Sequence, residues 1–185
     1  DAFLAAEDDR FYEHPGVDWQ GLTRAVITNV TTGGMREGGG TITMQLARNT
    51  VLTSEKTLRR KLKEVFLAIR LEREFSKQEI LTLYLNRIFL GQRAYGIGAA
   101  SEVYFDKSVH DLTVAEAALI AGLPRSPSLD NPVASITRAH DRRAYVLRRM
   151  LELGKIDQAR HDAAHDEPIS SRLHGPIIEI DAPYV

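Results

Sequence analysis

At 185 residues with no cysteine, the chain is long enough for one domain with a substantial core, and it excludes both a disulfide framework and a thiolate nucleophile. Its 24 basic and 25 acidic residues leave a formal charge of −1, so no protein-wide field gathers an anionic partner and only local clusters can do so. No apolar run reaches the ~18 residues that would span a bilayer, and the first residues lack the basic flank and apolar core of a signal peptide.

Helical periodicity and caps recur along the chain whereas alternating strand patterns are scarce, which predicts a mostly α protein. A first helix is expected over Ala2 to Tyr12. Asp18 caps a second to about Thr31, and Thr41 a third running through Ile42, Leu46 and Asn49 toward Leu52. With Ser54 as N-cap, residues 55–75 place Leu58, Leu62, Val65, Phe66 and Ile69 on one apolar stripe. Arg60, Lys61 and Glu64 then project from the opposite side. Ser76-Lys77-Gln78-Glu79 has capping-box spacing and opens a helix ending near Gly91. Thr113 to Glu116 does the same for one ending at Gly122. The stretch Lys77 to Leu90 is apolar on nearly all sides, which predicts a central buried helix whose Asn86 needs hydrogen-bond partners. Two more helices follow, from about Thr137 to Leu153 with Gly154 closing it, and from Asp157 to His165. Linkers fall at the glycine-rich Thr32 to Gly40 and the proline-bearing Pro124 to Pro132. The abrupt start and the tail after Ile177 give the pattern of a domain cut from a longer protein.

Two acids draw attention. Glu7 has Phe3 four residues before it and Phe11 four after, an acid within an apolar stripe. Burial raises such a carboxyl's pKa unless hydrogen bonds or cations oppose it, which suits an acid or base working near neutrality. Its bland alternative is a helix-end Glu paired with an Arg, while Asp8 and Asp9 point elsewhere. Glu64 sits inside the basic run Arg59 to Lys63, where the bland reading is a solvated face with Arg60/Glu64 and Lys61/Glu64 pairs worth a few tenths of a kcal/mol each. Gly38-Gly39-Gly40-Thr41 before a helix offers free backbone N–H groups to a phosphate, or is simply a hinge; no Walker A ending follows. Gln45, Arg48 and Asn49 come on the next turns. His14 has no companion ligands at metal-binding spacing, so a turn histidine is favoured. No nucleophile elbow marks any serine.

Read in order, these pieces resemble the five motifs of the peptidoglycan glycosyltransferases, the polymerase domain of class A penicillin-binding proteins and of their monofunctional relatives. Glu7 through Gly16 resembles the first motif, Gly38 through Asn49 the second, Arg60-Lys61-Leu62-Lys63-Glu64 the third. Ile80 through Asn86 with Gly91 through Ala100 resembles the fourth, and Ala115 through Pro124 with Arg142 through Leu147 the fifth. Two departures stand out: Gly40 where the family usually has serine, and Met44 where it often has a first glutamine.

The resemblance implies a single glycosyltransferase domain over 1–185, with a lysozyme-like bilobal fold: a large lobe, a smaller membrane-facing lobe to which Thr32 to Gly40 belongs, and a central cleft. It implies polymerisation of lipid II and the lipid-linked growing glycan into β-1,4 strands, with inversion and release of undecaprenyl pyrophosphate. Glu7 would be the general base and Glu64 its catalytic companion. Asp8, Phe11, His14, Thr41, Gln45, Arg48, Asn49, Arg60, Lys61, Tyr84 and Asn86 would form the substrate-binding set. Pyrophosphate needs charge neutralisation more than a proton, so Arg60 and Lys61 belong near it. Glu64 is left with three roles: orienting Lys61 and Arg60, holding a Mg2+ or Mn2+ ion at the diphosphate, or assisting donor departure. No cofactor is otherwise required. The implied setting is the outer face of the bacterial cytoplasmic membrane, among cell-wall synthesis proteins, with the anchor and a C-terminal transpeptidase domain lying outside this chain. A lysozyme-like glycan hydrolase is the competing enzyme class. A silent glycolipid-binding or scaffold domain is the other alternative, and nucleic-acid binding is disfavoured by the single basic cluster on a near-neutral chain.

Overall fold

The computed structural model describes residues 1–21, 23, 40–50 and 58–171, with the side chains of 50 and 58–60 left aside. Among these the chain is mostly α, and the only β pairing is an isolated antiparallel bridge between Phe89 and Tyr95. The helices are α1 (Ala2–Glu7), α2 (Ile42–Thr50), α3 (Leu58–Glu74), α4 (Lys77–Arg87), α5 (Gly96–Phe105), α6 (Val114–Gly122), α7 (Ile136–Glu152) and α8 (Gln158–Asp166). The bulk of the expected Asp18 helix, the Ser54 cap and the Thr32 to Gly39 linker lie outside the described residues. What is described of that second helix begins as expected, with Asp18 Oδ1 accepting the Gly21 N–H at 2.9 Å.

Caps place most helix starts. Ser76 and Thr113 close full capping boxes with Glu79 and Glu116, and Asp157 accepts from Arg160 N at the head of α8. Ser135 rather than a later residue caps α7, and Gly154 beyond its end adopts φ +64°. α4 stops at Arg87, short of Gly91, because Ile88 turns extended. α5 was not among the expected helices; its GIGAASEVYF sequence carries two glycines that lower helix propensity, and packing of Ala100, Val103 and Tyr104 into the core supplies what propensity does not.

Three expectations are corrected. α1 ends at Glu7, not Tyr12, since Asp8 departs from helical geometry at φ −163°, ψ 78°. Its carboxylate accepts from His14 Nε2 at 2.9 Å and from the Ile42 N–H at 3.0 Å, so tertiary partners outcompete the helix and the chain turns Phe11 into the core. α4 is buried on one side only: Ile80 and Tyr84 are wholly enclosed, whereas Asn86 is exposed and meets water instead of protein partners. On α3 the expected stripe holds only in part: Val65 and Ile69 pack against Val17, Met44 and Ala68, but Glu64 turns inward and Leu62 and Phe66 turn outward. Glu64 and Ala68 are 0% exposed, while Leu62 and Phe66 stand 70% and 80% exposed.

The core explains how the site is held. α6 carries Ala115, Ala118 and Ala121 on its buried face, small residues that let α1 and α7 approach it closely. α5 joins α4 to α6 through Tyr104, Leu119 and Ile120, and α2 lies across α3 and α4 with Ile42 and Leu46 inward. Gly16 passes against α3 at φ +88°, where a Cβ would stand 2.9 Å from Glu72 Cγ and 3.0 Å from the Ala68 carbonyl, so only glycine fits that crossing.

Candidate active site

Glu7 is the last residue of α1, and its carboxyl is held from two sides. Gln45 Nε2 on α2 donates to Oε2 at 2.8 Å, and Arg142 Nη2 on α7 lies 3.4 Å from Oε1. The Gln45 carbonyl in turn accepts from Tyr84 Oη at 3.1 Å, which fixes the amide so that its NH2 faces the glutamate. Burial raises the Glu7 pKa above its ordinary value; the Gln45 hydrogen bond and the Arg142 and Arg125 charges oppose this, and Asp8 adds to it. The Tyr84 hydroxyl is pushed well up by its own burial and by the charge of Glu7, so it remains a neutral donor.

One turn along α2 the second acid appears. Arg48 Nε and Nη2 stand 3.3 and 3.5 Å from the two oxygens of Glu64, and Lys61 Nζ lies 3.8 Å from Oε2. Residues i, i+3 and i+4 share a helix face, so Gln45, Arg48 and Asn49 form one line from Glu7 toward Glu64. Glu64 is fully enclosed, while Arg48 and Lys61 keep 46% and 44% of their side chains in solvent. The arrangement is a buried carboxyl with a raised pKa at one end and a wall of accessible cations, anchored by a second buried carboxylate, at the other.

The remaining expected site residues divide. Asp8, His14, Phe11, Thr41 and Tyr84 face inward and are bonded or packed against protein groups. Thr41 Oγ1 donates to the Gly16 carbonyl at 2.6 Å while accepting the Met44 N–H, and together with Asp8 it seats the N-terminus of α2. Asn49 is exposed beside Arg48. Asn86 lies two residues beyond Tyr84, roughly 200° around α4, and so faces away from Gln45. The Arg60 side chain is outside the described residues. Arg142 was quoted within the fifth motif without a role; it contacts Glu7 across 135 positions of sequence, a pairing no periodicity reveals.

A Mg2+ or Mn2+ ion beside Glu64 would have to take most of its ligands from the diphosphate, with Glu64 as the one protein carboxylate. Its oxygens already face two cations, and among the described residues no group of three His, Cys, Asp or Glu side chains converges on a point.

The transglycosylase family model matches residues 1–151. The chain belongs to the transglycosylase family. This transglycosylase is 53% identical over its full length to penicillin-binding protein 1A of Vibrio cholerae and 54% identical over 184 residues to that of Escherichia coli, spanning 22% of each relative. It is 49% identical over 171 residues to a putative transglycosylase of Cupriavidus necator, covering 92% of this chain and 74% of that protein. The crystal structure of penicillin-binding protein 1A from Haemophilus influenzae superposes with a TM-score of 0.52 at 39% identity, covering 72% of this chain and 17% of that one. The fold is therefore the mostly α, lysozyme-like one of a transglycosylase domain.

Proposed function

We propose that this domain polymerises lipid II into β-1,4 glycan with Glu7 as general base and undecaprenyl pyrophosphate as the departing group. The observation that carries the reading is the shared face of α2, where Gln45 donates to one glutamate and Arg48 pairs with the other a turn later. A buried base and an accessible cationic wall on one surface are what attack of a hydroxyl on a lipid diphosphate sugar requires. Glu7 takes the proton from the acceptor's 4-hydroxyl as the O4–C1 bond forms. The C1–oxygen bond to the diphosphate breaks, its electron pair leaves on the phosphate oxygen, and attack opposite that group inverts C1. Base catalysis of this kind contributes roughly 10² to 10⁴-fold.

The diphosphate takes its charge neutralisation from Arg48 and Lys61, with Arg60 joining them by its place in the motif. Glu64 orients these cations, and no step is routed through a metal. Asp8, His14, Thr41, Phe11 and Tyr84 act from behind, holding α2 and the base in register. Asn49 extends the polar line along α2, and Asn86 stands apart from it.

The exposed Leu62 and Phe66, with Lys63 between them, support contact with the cytoplasmic membrane at its outer face, since apolar side chains beside a cation suit the headgroup boundary. No described helix is long and apolar enough to cross a membrane. The same reading makes the chain one domain of a larger anchored protein with a transpeptidase domain, working beside other cell-wall synthesis proteins on a lipid-linked glycan. Incubation with labelled lipid II and, separately, with finished peptidoglycan tests it. Glycan strands are expected from the first and nothing from the second; soluble fragments from finished peptidoglycan would instead establish a hydrolase.

A further inference from the structure

Arg142 is held in place more firmly than a surface cation needs. Its Nε donates to the Gly122 carbonyl at 2.9 Å, its guanidinium carbon stands 4.5 Å from the centre of the Tyr145 ring, and its side chain is only 10% exposed. Gly122, the last residue of α6, is what allows this path. A Cβ there would come within 2.7 Å of Arg142 Cγ, although the Gly122 backbone at φ −77° would accept any residue. The end of α6 is thus a notch through which Arg142 passes from α7 to reach Glu7.

The two contacts on Glu7 are unequal. Gln45 makes a full hydrogen bond to Oε2, whereas 3.4 Å to Oε1 is at the outer edge of one. Arg142 therefore supplies charge through a long hydrogen bond, and Oε1 keeps a second lone pair that can receive a proton. The other charged groups facing this carboxylate are Asp8, which opposes its ionisation, and Arg125 near the end of α6, which favours it. Tyr84 reaches it only through Gln45.

We propose that Arg142 is a positioning residue for glycosyl transfer: threaded through the Gly122 notch, it keeps the Glu7 carboxylate ionised despite burial and leaves Oε1 as the oxygen that accepts the proton. This rests on Glu7 being the general base. Acceptor attack needs the ionised form, so loss of Arg142 lowers the ionised fraction on the acid side and is made good as pH rises.

The test is a pH–rate profile of lipid II polymerisation for Arg142→Met, Arg142→Lys and Gly122→Ala. At the pH where the parent enzyme is half-maximal, Arg142→Met is expected to lose about tenfold, the loss shrinking toward the alkaline plateau, because an opposite charge at this range commonly shifts a carboxyl by a unit or more. Arg142→Lys retains charge and should recover much of it. Gly122→Ala leaves every titratable group in place, yet by displacing Arg142 it should move the acid limb in the same direction. A uniform loss at all pH values in Arg142→Met, or an unmoved limb in Gly122→Ala with melting unchanged, overturns the proposal. The 13C titration of the Glu7 carboxyl, assigned by its disappearance in Glu7→Gln, reads the same effect without turnover. An active Glu7→Gln enzyme would overturn the base assignment itself, whereas an inactive one with an unshifted titration in Arg142→Met would overturn only the role of Arg142.

Discussion

Replacing Gln45 by Met removes both arms of the amide that ties α2 to Glu7, the proposed base. Methionine keeps most of the volume and helix propensity but removes the donor to Glu7 at 2.8 Å and the acceptor for Tyr84 at 3.1 Å. A hydrogen bond to a charged acceptor contributes about 1.5 to 3 kcal/mol, which at ~1.36 kcal/mol per tenfold is roughly 10 to 150-fold in the fraction of base available on the acid limb. The sign follows from the cause: burial raises the Glu7 pKa and Gln45 lowers it, so without Gln45 the ionised form is reached at higher pH. Initial rates of lipid II polymerisation across pH should show the limb displaced upward with KM for lipid II changed less than kcat. The orphaned Tyr84 hydroxyl, fully buried, should also cost about 1 to 3 kcal/mol of stability. Adding Tyr84→Phe should return that stability without restoring rate, a coupling that a double-mutant cycle measures. Rates within twofold of the parent at every pH would refute the reasoning.

Other consequences are more local. Asp8→Ala removes the acceptor shared by His14 and the Ile42 N–H; losing two such bonds costs about 3 kcal/mol or more, seen as a fall in Tm of roughly 6 to 12 °C for a domain of this size, and an unchanged Tm would deny Asp8 its structural part. Glu64→Gln unpairs Arg48 and Lys61 from a buried charge, so KM for the donor should rise more than kcat falls; the same assay in EDTA should run within twofold of the untreated rate, and dependence on added Mg2+ would place a metal at this wall. Phe66→Ser should weaken cosedimentation with anionic vesicles while leaving melting unaffected, because the side chain it truncates is 80% exposed; undiminished vesicle binding would move the membrane contact elsewhere.

What could be read from sequence and what could not follow one physical line. Ser76, Thr113, Thr41 and Asp157 set helix starts through bonds to residues three positions on, and such local chemistry is legible in a short window. Asp8 looks equally local, yet its partners are His14 and Ile42, so the helix it was expected to extend stops there. α3 misled for a related reason. A helical wheel ranks residues by their own polarity, and Glu64 is buried because Arg48 comes from another helix to meet it, leaving Leu62 and Phe66 outward. The raised pKa of Glu7 was foreseeable from its apolar neighbours, but the Arg142 that opposes it comes from the far end of the chain. Motif order named these residues; only the fold shows that α2 carries a partner of each glutamate on one face.

The most direct test of the account is Glu7→Gln, measured for lipid II polymerisation and for lipid II binding in the same preparation. The amide keeps the shape of the side chain and cannot take a proton, so turnover should fall by roughly 10² to 10⁴-fold while binding and melting stay close to the parent. Glycan synthesis at a near-parental rate would contradict the assignment of Glu7 as the base on which the proposed mechanism depends.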